Sequence, residues 1–145
     1  MGLFSGIKNN MRKTQAAVVL QNLFEFQAQL EGNESIKPAE LANALIETAW
    51  NKRPEAFDGS VGGVRPHKLT IAVYSLANLI DGLPSGHSLR ESCIAPFVRL
   101  IAEVQQNGAL YSFNSVDNYL LEPCFAVYER LEAEMGDLLG EMGSI

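Results

Sequence analysis

The chain has 145 residues, 47% of them hydrophobic and 19% charged, with a formal net charge of −6. That balance fits one globular domain able to bury roughly two-thirds of its unfolded surface, and it excludes disordered and fibrous classes. It also argues against a general nucleic-acid binder, which needs a basic stripe to displace counterions.

The charge is unevenly placed. No acid precedes Glu25, whereas Lys8, Arg12 and Lys13 fall before it, so residues 1–24 carry +3 and the rest, to reach −6, carries −9. From Ile7 to Glu31 there is no Gly and no Pro, which predicts one long first helix. At about 100° per residue, Leu3, Phe4, Ile7, Met11 and Val18 share a face, with Lys8, Asn9, Asn10, Arg12 and Lys13 on the other. After Gln15 the pattern flips. Ala16, Val19, Leu20, Leu23, Phe26 and Leu30 form a second stripe centred roughly 150° from the first. One straight helix cannot bury both in a single core. Residues 1–14, a basic amphipathic segment, therefore need a bend near Thr14, a second subunit, or a membrane surface.

Gly32-Asn33 is a C-cap signal. A second helix is predicted from Pro38, with Glu40 in its positive end and Leu41, Ala42, Leu45, Ile46, Ala49 and Trp50 at helical spacing, stopped by Pro54. Residues 51–65 form the longest expected loop. A third helix runs from near Pro66 to Gly82 and buries Leu69, Ala72, Val73, Leu76, Leu79 and Ile80. Its start also alternates like a strand, but its length favours helix. Two more helices follow, capped by Ser88 (with Glu91 as a capping box) and by Ser115. Their interior prolines, Pro96 and Pro123, imply that each is kinked or restarted. Residues 137–145 are either a frayed tail or a small docking turn. Phe24, Phe26, Phe97, Phe113, Phe125 and Tyr128 read as core fillers. The expected fold is all-α: a single domain over residues 1–145, an antiparallel bundle of about five helices.

Motifs that carry chemistry are sparse. In the loop into the third helix, Gly59, Gly62 and Gly63 permit left-handed backbone, and Arg65, His67 and Lys68 crowd a helix start suited to an anion. Lys52 and Arg53 approach the same loop from its other end. The spacing matches neither the phosphate-loop nor the dinucleotide signature. The turn from Asp81 to Ser88 holds hydroxyls and His87 but no nucleophile elbow. His67 and His87, the only histidines, have no partner at metal-ligand spacing, so no metal and no cofactor is implied. Cys93 and Cys124 read as buried reduced thiols, which with the absence of a secretory signal suggests a cytoplasmic protein. Gly6 stands where a myristoylation motif needs Ser or Thr.

Three functions are compatible with this pattern. The first is a non-enzymatic interaction protein, a homodimer or docking module using Leu3, Phe4, Ile7 and Met11. The second is a small-molecule or phosphate-ligand binder or enzyme using Gly62, Gly63, Arg65, His67 and Lys68. The third is weak peripheral membrane attachment through the first segment.

Overall fold

A computed structural model describes residues 3–32 and 37–143, with the side chains of residues 3–7, 140, 142 and 143 outside that description. The elements in order are α1 (Leu3–Glu31), α2 (Pro38–Lys52), the single turn α3 (Pro54–Phe57), α4 (Lys68–Gly82), α5 (Ser88–Asn107), a 3-10 turn (Gly108–Tyr111), α6 (Ser115–Met135) and α7 (Asp137–Gly143). Among the described residues there is no strand. The protein is an all-α bundle, and its buried residues form one cluster drawn from α1 to α7.

The hub is α4. It packs against α1, α2, α5 and α6, so it is buried from Leu69 to Ala77 without a break rather than along one face. Enclosure on all sides is why a stripe read from spacing understates its burial. Ser75 relieves its own buried hydroxyl by donating to the Ile71 carbonyl at 2.7 Å.

Local rules account for most helix boundaries. Gly32 takes φ +64° and ends α1 in the left-handed region that glycine tolerates best. Pro38 and Pro54 occupy the first turns of α2 and α3, where a missing N–H costs nothing. The expected loop over 51–65 is shorter on its leading side, because α2 continues to Lys52 and α3 follows at once. Two expected caps are displaced by one residue. His87, not Ser88, caps α5: its Nδ1 accepts from the Leu89 N–H at 3.2 Å, while Glu91 accepts from the Gly86 N–H. Asn114, not Ser115, caps α6, in a reciprocal box with Asp117. In each case the residue one position earlier has extended backbone and a free acceptor.

Pro96 and Pro123 lie inside continuous helices, so neither helix restarts. An interior proline costs about 3 kcal/mol. Around Pro96, complete burial of Ile94, Phe97 and Ile101 offsets it, at roughly 1.5–3 kcal/mol for each large apolar side chain. Near the chain's end, α7 is a docking turn: it packs on α5 and α6 and buries Leu139.

Cys93 and Cys124 are free and buried, and burial pushes both thiols up to about 12. We predict that neither reacts with Ellman's reagent at pH 8 in the native protein and that both react in denaturant. Rapid labelling of either under native conditions would show that α5 or α6 opens locally.

Candidate functional site

Three surfaces bear on function: the loop before α4, the outer face of α1, and a pocket between the α2–α3 corner and α6.

The loop groups singled out from the sequence are not brought together. Gly62 and Gly63 have φ of +66° and +70°, lie exposed, and a Cβ added at Gly63 would meet nothing. Lys68 is exposed. Arg65 turns away: its Nε donates to Asn9 Oδ1 on α1 at 3.0 Å, and its guanidinium fills the space beside Gly59, 3.0 Å from where a Cβ would stand. Gly59 is thus needed twice, for its φ of +86° and for Arg65.

The α4 N-terminus already has an anion, and it is the protein's own. Asp117, only 1% exposed, accepts from the His67 N–H at 2.7 Å and from the Asn114 N–H at 2.9 Å. His67 Nδ1 accepts from the Leu69 N–H at 3.1 Å, and its ring packs on Tyr111 and Phe113. Asn114 closes the set by donating to the Arg65 carbonyl. The amides and dipole that suit a bound phosphate here serve to clamp α4 to α6. Sequence reading missed Asp117 and Asn114, although their spacing of three, before an apolar run, is a legible capping signal.

On α1, the first half packs with its polar side inward. Lys13 donates to Glu47 of α2 at 3.0 Å and lies 4.8 Å above the Trp50 ring, and Asn9 receives Arg65. Met11 and Val18, on the opposite side, are 55% and 49% exposed. Leu3, Phe4 and Ile7 have side chains outside the described set. In the second half, Ala16, Leu20 and Phe24 are buried, whereas Phe26 and Leu30, expected in the core stripe, are exposed. Phe24 fills the core because it lies closer to the line through Ala16 and Leu20. Phe26 instead covers the Arg99 guanidinium, 4.8 Å from its ring. Phe97 is in the core as expected, while Phe113, Phe125 and Tyr128 pack partly buried at its edge.

The pocket has a volume of about 380 Å³. Arg53, Glu55 and Ala56 line it from the α2–α3 corner, Val61 from the loop, and Ser115, Val116 and Tyr119 from α6. Arg53 Nη1 donates to Tyr119 Oη at 2.7 Å, with the guanidinium carbon 5.9 Å from the ring centroid. On the far side of Arg53 lies a smaller cleft whose polar groups satisfy one another: Lys52 donates to Asn78, and Arg130 pairs with Asp81 at 2.9 Å.

Among the described residues, no group of three or more His, Cys, Asp or Glu is placed to hold a metal ion, and no helix is long and apolar enough to cross a membrane. Compared with protein-family models, curated proteins and solved structures, the chain matches none.

The His67–Asp117 clamp generates a pH dependence. Burial, helped by Lys68 and Arg12 and opposed by Asp117, holds the His67 pKa below its ordinary 6.5. The unfolded chain therefore binds a proton before the native one does. The stability contributed by neutral His67 is complete above about pH 6.5 and declines as pH falls from there through the native value. We predict a thermal midpoint that drops over this window, and a smaller drop in His67→Asn, which keeps an acceptor but cannot titrate. Equal slopes in the two proteins would exclude His67 as the cause. Asp117→Ala should lower stability by roughly 2–4 kcal/mol in urea titration, because it strands two donors at a buried junction.

Proposed function

We propose that this protein is a non-enzymatic interaction module that forms a homodimer through the outer face of α1. One observation carries the reading. An unbroken 29-residue helix turns Asn9 and Lys13 toward its own bundle and leaves Met11 and Val18 in solvent. A helix that served only the monomer would gain by the opposite arrangement, since each apolar side chain removed from water contributes about 1.5–3 kcal/mol.

The charge pattern of α1 favours a second copy in the antiparallel sense. Lys8 is exposed in its first half and Glu25 in its second, whereas Lys13 is turned onto Glu47 and Arg12 is half-buried near His67. Antiparallel pairing about a two-fold axis brings Lys8 of each copy toward Glu25 of the other and opposes the helix dipoles. The helix is about 43 Å long at 1.5 Å per residue, ample for a stable interface.

The test is solution mass by sedimentation velocity and light scattering. The wild type should be dimeric at tens of micromolar and weaken at high salt. Met11→Asp/Val18→Asp should be monomeric with unchanged helicity. A wild type that stays monomeric up to about 1 mM, the weakest association of interest, overturns the proposal, as does a double variant that still dimerises. Binding of the monomer to anionic vesicles, lost in the same variant, would assign the face to a membrane surface instead.

A further inference from the structure

We infer that the pocket between the α2–α3 corner and α6 is a binding site for a small monocarboxylate with an apolar body. The inference is independent of dimerisation and uses none of the α1 face.

Its wall is the first reason. Ala56 and Val116, both buried, line it together with the exposed Val61 and Tyr119. A volume of about 380 Å³ lies at the lower end of the roughly 300–1,000 Å³ range of small-molecule sites, which are mostly apolar with a few convergent polar groups.

The polar groups are the second reason. Arg53 spends one N–H on Tyr119 Oη, and among the described residues its guanidinium has no carboxylate partner. The phenol accepts from a cation, so its own O–H is left to donate and is polarised in the direction that strengthens donation. Guanidinium and phenol together offer several donors at one end of an apolar cavity, the set that binds a carboxylate in two-point fashion. Ser115 adds a hydroxyl at the start of α6, where the helix dipole favours negative charge.

Glu55 decides the ligand's charge. It lines the same pocket and has no cationic partner among the described residues. With one cation and one anion in the lining, each ligand charge beyond the one that meets Arg53 is opposed by Glu55, so a dianionic phosphate is disfavoured relative to a monoanion. In the neighbouring cleft Arg130 is already paired with Asp81, and Lys52 donates to Asn78.

The probe is sodium phenylacetate, with phenylacetamide as its uncharged isostere, followed by amide chemical shifts in ¹⁵N-labelled full-length protein. Phenylacetate should perturb Val61 and the Ser115–Tyr119 amides saturably. Phenylacetamide should bind about tenfold more weakly or worse, the usual loss when a charged hydrogen bond is removed. Arg53→Leu should weaken phenylacetate by a similar factor, and Glu55→Gln should tighten it. Tyr119→Phe, which keeps the ring and deletes the phenol, reads the same donor pair should Arg53→Leu fold poorly. The inference is overturned if acid and amide bind alike, if both Arg53→Leu and Tyr119→Phe retain wild-type affinity, or if about 10 mM phenylacetate leaves the pocket amides unmoved.

Discussion

A straight α-helix presents each residue in one direction only, and α1 carries apolar side chains in two. Burying Ala16, Leu20 and Phe24 against α4 and α2 settles the rotation of the whole rod. With no break between Leu3 and Glu31, that rotation propagates to the first half, where it turns Asn9 and Lys13 inward and Met11 and Val18 outward. The larger apolar load wins the core, and Met11 and Val18 are left at the surface. Lys13 shows how the bundle accommodates the consequence: its stem and ammonium cover Trp50, and its charge meets Glu47. An exposed pair of this kind contributes little stability, so what holds the first half in place is chiefly its continuity with the second.

The second organising contact is a carboxylate used as internal mortar. Asp117 and Asn114 tie the first turn of α6 to the first turn of α4, and the Arg65 carbonyl and side chain carry the link on to α1. A glycine-bearing loop followed by cations at a helix start is a common anion-binding arrangement. Here the anion comes from fifty residues further along the chain. The same network gives His67 a structural task, and a cap that accepts through Nδ1 needs the neutral ring. His87 caps α5 by the same bond to the residue two positions on. Both histidines of the chain thus cap helix starts through Nδ1.

The pocket beside Arg53 differs from these junctions in being incompletely satisfied. At the Asp117 clamp the donors and acceptors face one another, whereas Arg53 and Glu55 share a cavity without forming an ion pair. Arg99 is another unbalanced cation: it donates to Gln27, but its Nε and Nη2 are buried without partners, and desolvation lowers its pKa. Arg53 differs in being exposed and in lining a pocket, which is why it, rather than Arg99, carries the proposed ligand contact.

Sequence alone determined what is local. The unbroken α1, the stop at Gly32, the starts at Pro38 and near Pro66, the helical spacing of α2 and α4, and the all-α class all follow from backbone preferences and a period of 3.6 residues. Tertiary structure decided everything that depends on a neighbour. It chose which stripe of α1 faces the core, put Phe24 inside and Phe26 outside, and buried α4 on every side. It carried α5 and α6 through Pro96 and Pro123, and joined His67 to Asp117 and Arg53 to Tyr119 across 50 and 66 residues. The physical reason is that periodicity states which side chains share a direction but not what lies in that direction. Only the packed helices around α4 supply the surfaces that reward one direction over the other.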